Sequence, residues 1–453
     1  MQDVHLERAR PFPREPGFDS TLALRKEGYA FISRRCDKYR SEAFETRLML
    51  RPVVCTRGVD AAAMFYHPDR FIRRGANPPA AVALLDDARG VQQLEGTRHR
   101  HRKRMFMGLL GVDSTARLAW IAAEEWRLRT DRWPGQERVV LREEAEQVLC
   151  RAACRWAGVA LEGEDVSERT RGLVAMIEGA GIVGLRPVRG MVLRRRTEAW
   201  IRREVRRLRA DGAGGRGTPA QRIAAHRELD GRLLDDTAAA VELLNLLRPM
   251  VAVARWITFA ALALHRHPHY RHRLEGGDPQ LLVHFVQEVR RFYPFVPMIG
   301  GRVGTPFKWR GRHFEKGEWV LLDLYGTHHD ARLWDRPERF DPDRFRSWQG
   351  SEFDFIPQGA GEVGQGHRCP GESPSMALVM TAVRELVSIR YDVPEQDLGF
   401  RLDRFPSTPE SGFVVCNVRG TSGSGRACGA SGGEQKGAAE GCAALERTSR
   451  HPR

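Results

Sequence analysis

Cysteine is scarce in this sequence, and long uncharged apolar runs are missing. Eight cysteines are spread over 453 residues without regular spacing, which argues against a disulfide-rich secreted protein and favours a cytoplasmic one. The longest apolar stretch, residues 237–264, contains Glu242, Arg248 and Arg255. These charges predict a buried helix and a protein that is not integral to a membrane. The charged, proline-containing first residues do not predict a secretory signal.

Acidic residues are fewer than basic ones, and the formal net charge is +15. A positive surface of this kind attracts nucleic acids, acidic proteins or fatty carboxylates through its long-range field. The same charge also fits a solvated, arginine-rich surface, which we favour. The charge alone therefore selects no partner, and we expect no nucleic acid binding.

The last residues, 419–453, lack the apolar periodicity that a core requires and are rich in Gly, Ala, Ser and charge. They predict a disordered tail behind a folded domain of residues 1–418. Truncation after Val418 should leave the melting temperature and the soluble yield nearly unchanged, because a segment that buries little apolar surface adds little stability. Thermal unfolding of the shortened chain tests this, and a loss of soluble protein would contradict it.

The pattern of apolar residues predicts a mainly α protein with small β-sheets (α+β). Most of residues 95–300 has helical periodicity, whereas residues 21–34, 41–57 and 305–325 have the β-branched alternation and glycine turns of short strands. Residues 1–20 are expected to lie as an arm over the fold.

The chemistry of the chain begins in residues 359–372 (GAGEVGQGHRCPGE). This glycine-rich segment leads to Cys369, which is followed by Pro370 and a helical run. Proline suits the first turn of a helix, and a cysteine at a helix N-terminus meets positive dipole charge that favours a metal-binding thiolate. The alternative for this segment alone is a buried structural cysteine beside a glycine-rich loop.

Two further motifs precede the cysteine. Glu288 and Arg291 are three residues apart in a predicted helix and therefore share one face. Residues 340–345 (FDPDRF) contribute Arg344. A glutamate and two arginines in this arrangement predict a buried, charge-assisted network that braces the cysteine loop. A Glu-x-x-Arg motif alone is common, but the three motifs in this order are highly specific.

This order resembles the cytochrome P450 superfamily over about residues 10–418, and more closely its bacterial family 152 of fatty-acid peroxygenases. His367 replaces the usual arginine of the cysteine loop, and the loop is longer, as in this subfamily. The resemblance implies the cytochrome P450 fold with haem b between the distal helix and the Cys-loop helix, and Cys369 as iron ligand. The matching segments are residues 243–249 (LLNLLRP), 285–295 (FVQEVRRFYPF), 321–326 (LLDLYG), 356–359 (IPQG), 366–372 (GHRCPGE) and 391–395 (YDVPE).

The distal helix has an arginine where monooxygenases of the superfamily typically place an acid–alcohol pair. Arg248 lies in an apolar run without an acid at i±3 or i±4, and Glu242 projects roughly 240° around the helix. A buried, unpaired charge costs about 3–5 kcal/mol, so an anion is expected to neutralise it. Pro249 leaves the carbonyl of Asn245 without its helical donor and opens the helix beside Arg248. The alternative is that a distant Asp or Glu pairs with Arg248.

The resemblance implies that a long-chain fatty acid binds with its carboxylate on Arg248. The carboxylate then acts as general acid–base towards hydrogen peroxide, so that no redox partner is obligatory. The expected products are 2- and 3-hydroxy acids, with terminal alkenes as a minor product. The alternatives are a monooxygenase that receives electrons from a ferredoxin or flavoprotein, and a non-catalytic haem carrier or sensor.

The remaining site residues are assigned by the resemblance alone. Gln92 matches a position over the haem that carries His or Gln in the family. His99 and Lys103, one helical turn apart, are candidate ligands of the haem propionates, as is Arg73, and His367 completes the haem-binding set. Asp86 occupies a position where an apolar residue of the pocket is expected.

Overall fold

The computed structural model describes residues 12–161, 165–180, 185–212 and 217–420. This part of the chain is mainly helical, in agreement with the prediction from sequence. Its α-helices are α1 (Thr21–Glu27), α2 (Phe31–Tyr39), α3 (Val59–Tyr66), α4 (Pro79–Ala81), α5 (Gly96–Leu109), α6 (Val112–Thr130), α7 (Leu141–Ala157), α8 (Asp165–Gly179), α9 (Leu185–Ala210), α10 (Pro219–Ala224), α11 (Asp236–Ala252), α12 (Ala254–Arg266), α13 (Pro268–Glu275), α14 (Pro279–Phe292), α15 (Leu324–His328) and α16 (Glu372–Val387).

The strands of the described chain form three small sheets. A five-stranded sheet has the order β1-β2-β8-β5-β3, a three-stranded sheet has the order β4-β10-β9, and β6 and β7 form a hairpin. In the largest sheet β2 pairs parallel to β8, with Val54 opposite Val320. The strands are β1 (Ala43–Leu48), β2 (Arg51–Arg57), β3 (Phe71–Ile72), β4 (Val139–Val140), β5 (Met298–Val303), β6 (Phe307–Trp309), β7 (Arg312–Phe314), β8 (Trp319–Asp323), β9 (Ile389–Asp392) and β10 (Val414–Gly420).

One predicted strand region is wrong. Residues 21–34 fold as α1, a short 3-10 turn and the start of α2. In α2 the buried positions are Phe31, Ile32, Arg35 and Cys36, a spacing that repeats with the helical period of 3.6 rather than the strand period of two. The strands and hairpin predicted in residues 41–57 and 305–325 are present.

Two ends of the folded domain differ from the sequence prediction in detail. Strand β10 continues to Gly420, which pairs with Ile389, so the domain extends two residues past the predicted boundary at Val418. Part of the predicted N-terminal arm is described, and Phe12 packs edge-on against Trp309 of the hairpin. Residues 1–11 and the predicted tail from 421 onwards lie outside the described residues.

Helices α11 and α12 form the centre of the molecule. Asp235 caps α11 by accepting hydrogen bonds from the backbone N–H groups of Thr237 and Ala238 at 2.9 and 2.8 Å. Among the described residues, 236–266 form one helical stretch long and apolar enough to cross a membrane, but 94% of its most apolar window is buried inside the protein. The stretch is therefore a core element, and α6, α7, α14 and α16 share its large apolar cluster.

Candidate active site

Cys369 lies in the turn immediately before α16. The helix begins at Glu372 with Gly371 as its N-cap, so Pro370 precedes the helix and the prediction that it belongs to the first turn is wrong. Two donors point at the sulfur of Cys369: the backbone N–H of Gly371 at 3.4 Å and the Nε2 of Gln358 at 3.5 Å. The thiol is thus held in place by its own loop and by the preceding segment.

Burial dominates the protonation of this thiol. It raises the pKa of Cys369, and the backbone N–H of Gly371, the charge of Lys103 and the amide of Gln358 only partly offset it. The backbone N–H at the helix terminus favours the thiolate, as expected, but in the free thiol the effect of desolvation is larger. A coordinated metal ion deprotonates a thiol outright, so the site remains suited to a metal-bound thiolate.

The predicted Glu–Arg–Arg network is assembled in the structure. Arg291 binds both oxygens of Glu288, at 2.7 and 2.8 Å, and both residues are fully buried. Arg344 approaches the same carboxylate at 3.2 Å. Arg291 also donates to the backbone carbonyl of His328 at 2.7 Å. The network therefore joins α14 to the segments that precede the cysteine loop.

The direct link from α14 to the cysteine loop comes from a residue that the motif analysis missed. Arg290 forms an ion pair with Glu372, at the start of α16, and donates to Oε1 of Gln358 at 3.1 Å. Gln358 in turn donates to the sulfur of Cys369. Successive helical residues differ by roughly 100° in direction, so Arg290 faces the loop while Arg291 faces Glu288.

A buried basic cluster lies beside the cysteine loop. Arg73, His99, Lys103 and His367, all predicted as haem-binding residues, lie close together here, and the carboxylate of Glu95 lies near His99 and His367. The imidazole rings of His99 and His367 stack at 4.0 Å between centroids, and His367 Nε2 lies 3.4 Å from Glu95 Oε2. Burial and the neighbouring His367 lower the pKa of His99 to about 3.

Lys103 connects helix α5 to the cysteine loop through hydrogen bonds. Its Nζ donates to the carbonyl oxygen of Gly366 at 2.9 Å and to that of Arg368. Burial lowers the pKa of Lys103 to about 8 although the nearby Cys369 and Glu362 favour its charged form. Arg73 is anchored similarly, because it donates to the carbonyl oxygen of Gly300 at 3.0 Å.

On the distal side, Arg248 is buried in α11 and largely unpaired. Its Nη2 donates to Oδ1 of Asn245 at 3.3 Å, and its buried Nη1 has no partner in the described chain. Burial lowers the pKa of Arg248 to about 10. None of the acidic side chains within the described ranges forms an ion pair with this guanidinium.

Glu242 is engaged elsewhere, as its position on the helix predicts. It forms an ion pair with Arg102 of α5 and accepts a hydrogen bond from Nδ2 of Asn245 at 3.1 Å. The same Nδ2 donates to Oε1 of Gln92 at 3.1 Å. Asn245 therefore links Gln92 to Arg248, a link that spacing along the sequence does not reveal because Gln92 belongs to a distant segment.

The residues present fit a haem. Cys369 offers a sulfur ligand, and the buried Arg73, His99 and Lys103, with the partly buried His367, are nitrogen donors that would suit propionate groups. On the opposite side, Pro249 is exposed although every other residue from 238 to 252 is buried. Pro249 is therefore the accessible position of this stretch, and it is adjacent to Arg248. These residues are the ones that would hold the macrocycle and its substrate.

Known proteins share this architecture. A family model described as Cytochrome P450 matches residues 277–385. Cytochrome P450SP alpha (CYP152B1) in complex with (R)-ibuprofen is 44% identical, with 89% of this chain and 99% of that chain covered and a TM-score of 0.86. Cytochrome P450EX alpha (CYP152N1) with myristic acid is 37% identical, with 91% and 100% covered and a TM-score of 0.86. A variant of cytochrome P450 OleT in complex with arachidonic acid is 31% identical, with 92% and 100% covered and a TM-score of 0.88.

Curated relatives match over shorter segments. Rhazimal synthase of Alstonia scholaris is 28% identical over 176 residues, 33% of this chain and 34% of that protein. Cytochrome P450 4A11 of Homo sapiens is 48% identical over 61 residues, 13% of this chain and 12% of that protein. The chain thus spans about a third or less of these curated relatives. The full-length structural matches, in contrast, establish that the chain belongs to the cytochrome P450 family, within its CYP152 group, as its motifs predict.

Proposed function

We propose that this protein is a haem-thiolate peroxygenase that hydroxylates long-chain fatty acids at the α or β carbon, with hydrogen peroxide as oxidant. The balanced reaction converts one C–H bond and one hydrogen peroxide into one C–OH group and one water. When bound, haem b supplies the iron centre at which peroxide is reduced and the C–H bond is oxidised. The residues of the chain supply substrate binding, orientation and proton transfer.

The observation that carries this proposal is the buried guanidinium of Arg248. It has an unpartnered Nη1 and lies next to the exposed ring of Pro249. A carboxylate is the planar anion that matches a guanidinium with two parallel hydrogen bonds. A fatty acid bound in this way points its first two methylene groups away from Arg248, so that Cα and Cβ are the carbons held nearest to the reacting centre.

The bound carboxylate also supplies the proton transfer that the distal helix lacks. The part of α11 next to Arg248 offers an amide, Asn245, and no acid–alcohol pair. A carboxylate oxygen of the substrate takes the proton from one oxygen of hydrogen peroxide and delivers it to the other, which leaves as water, while the first oxygen is the one that ends in the C–OH group. Two relatives support this substrate class, because the P450EX alpha and OleT structures contain myristic and arachidonic acid.

Turnover with purified, haem-loaded protein tests the proposal. Myristate and hydrogen peroxide, without NADPH or any electron-transfer protein, should give hydroxymyristate identified by gas chromatography and mass spectrometry. A requirement for NADPH and a reductase would favour the electron-transfer monooxygenase instead. Absence of products under both conditions, with myristate bound, would favour a haem carrier or sensor.

Gln92 provides a prediction about product choice. A histidine here can carry a proton near neutral pH and hold the carboxylate for loss of carbon dioxide, whereas glutamine only donates and accepts ordinary hydrogen bonds. We expect the wild type to form mainly 2- and 3-hydroxy acids, and Gln92→His to raise the share of terminal alkene. Gas chromatography of a peroxide-driven reaction measures the ratio.

A matched variant separates the proton from the lost contact. Gln92→Ala removes the hydrogen bond from Asn245 without adding a titratable group, so it should lower the rate but leave the ratio of alkene to hydroxy acid unchanged. If alkene is already the main product of the wild type, or if Gln92→His leaves the ratio as it was, Gln92 does not control the partition.

A further inference from the structure

The segment opposite Arg248 carries a carboxyl group of its own. A π-helical turn, Val82–Asp86, ends in Asp86, where an apolar residue is expected from the family resemblance. The turn is held firmly, because Arg194 of α9 donates to the carbonyl oxygen of Leu84 at 2.7 Å. Gly90 allows the same segment to lie close to α11, because it has no side chain. A Cβ at this position would lie 2.1 Å from the carbonyl oxygen of Asp86 and 2.8 Å from Nδ2 of Asn245.

Asp86 and Arg248 interact electrostatically without forming an ion pair. Each is the strongest opposite charge felt by the other, yet they form no direct ion pair. The Oδ2 of Asp86 accepts a hydrogen bond from Nε2 of Gln93 at 3.1 Å, and the nearby side chain of Asn77 also lowers the pKa of this carboxyl group. Both side chains are uncharged. A single guanidinium therefore acts on one resident carboxyl group and keeps one donor, Nη1, that has no partner in the described chain.

We propose that Asp86 and the carboxylate of the bound fatty acid share one proton above Arg248, so that substrate binding takes up a proton from solution. This inference rests on the proposed function, since it requires a carboxylate ligand at Arg248. It makes Asp86 a specificity-determining residue that couples recognition of fatty acids to pH.

The physical reason is that one cation does not neutralise two neighbouring carboxylates. Burial already raises the pKa of Asp86, and the charge of Arg248 is what mainly opposes this rise. The carboxylate of the bound fatty acid forms hydrogen bonds with the guanidinium of Arg248 and adds a second negative charge beside Asp86. Two carboxyl groups in one site bind one proton between them, and the pair titrates as a unit. The pKa of Asp86 is therefore higher in the complex than in the free protein.

The other charged groups near this turn have partners of their own. From the helices packed on the turn, Arg248 of α11 and Arg194 of α9 are the cations that act on Asp86. Arg194 is shared with the neighbouring Asp87, whose Oδ2 lies 3.5 Å from its Nη2. Glu242, the other buried acid nearby, is paired with Arg102. The guanidinium of Arg248 is thus the cation for which Asp86 and the substrate compete.

The affinity for the fatty acid should depend on pH, because the pKa of Asp86 is higher in the complex than in the free protein. Below the free-protein pKa of Asp86, the carboxyl group is protonated before and after binding, and the affinity for the fatty-acid anion is highest. Between the free and bound pKa values, the affinity falls by up to tenfold for each pH unit. Above the bound pKa, both carboxylates are charged and the affinity is lowest.

Isothermal titration calorimetry of the haem-loaded protein with myristate tests the inference. Titrations from pH 5.5 to 8.5, each in two buffers with different ionisation enthalpies, give the number of protons taken up for each myristate bound. The wild type should reach an uptake that approaches one proton at its maximum. Asp86→Asn keeps the size of the side chain and removes the titrating group, so its uptake should be lower than that of the wild type by up to one proton.

Two further variants complete the design. Asp87→Asn removes the adjacent acid, which pairs with Arg194 instead of facing Arg248, and should behave like the wild type. Asp86→Leu provides a second substitution without a proton, and at the alkaline end both Asp86 variants should bind myristate at least tenfold more tightly than the wild type.

Equal proton uptake by the wild type and both Asp86 variants would overturn the inference while leaving the proposed function intact. Failure of myristate to bind the wild type at every pH would instead contradict the proposed function itself.

Discussion

Arg248→Ala should reduce peroxide-driven oxidation of myristate by two to four orders of magnitude while haem stays bound. A carboxylate on Arg248 gains two charge-assisted hydrogen bonds, each worth roughly 1.5–3 kcal/mol. Their sum, about 3–6 kcal/mol, corresponds to the stated loss in kcat/KM because each 1.36 kcal/mol is about tenfold.

Arg248→Lys is the matched control. It keeps a positive charge at the same place but loses the planar pair of donors, so its activity should lie between those of the wild type and the alanine variant. Steady-state kinetics, with haem content measured for each variant, provide the comparison. Undiminished activity of Arg248→Ala would show that another group holds the substrate, and the electron-transfer alternative would then be favoured.

Cys369→His should abolish the strongly red-shifted Soret band of the reduced carbon monoxide complex. A thiolate donates more charge to iron than an imidazole does, and that donation produces the shift. In the structure, the side-chain amide of Gln358 and the backbone N–H of Gly371 both donate to the sulfur of Cys369. Difference spectroscopy of the reduced protein, with and without carbon monoxide, measures the band.

Cys416→Ser serves as the matched control, because Cys416 is another free, partly exposed cysteine and lies in β10, away from the loop. Its spectrum should equal that of the wild type. A wild-type spectrum typical of imidazole ligation would refute Cys369 as the ligand, and an unchanged spectrum in Cys369→His would do the same.

The sequence predicted those parts of the site that depend on spacing within one helix. The positions of Arg248 and Glu242 on α11 follow from 100° per residue, and the structure shows them engaged in different contacts. The pairing of Glu288 with Arg291 follows from the same rule. In residues 21–34, by contrast, the strand prediction relied on β-branched residues. It gave too little weight to the helical spacing of the apolar residues, which the sequence already contains.

Contacts between distant segments could not be predicted from spacing along the sequence. Arg290 reaches Glu372 because of the direction in which α14 packs, and Asn245 meets Gln92 because a short 3-10 helix, Val91–Gln93, lies against α11. The pKa of Cys369 likewise depends on total burial, which no local motif contains. The carboxyl group of Asp86 was visible in the sequence, but its relation to Arg248 required the fold.

The parallel pairing of β2 with β8 has a consequence for how the chain is made. Val54 and Val320 are adjacent in the sheet, and the strands that flank them come from both ends of the domain. During synthesis, β2 leaves the ribosome long before its partner exists, and contacts of such high sequence separation form slowly. The edge of β2 therefore has no native partner until residues 319–323 have been made, and an unpaired strand edge is a site for wrong pairing.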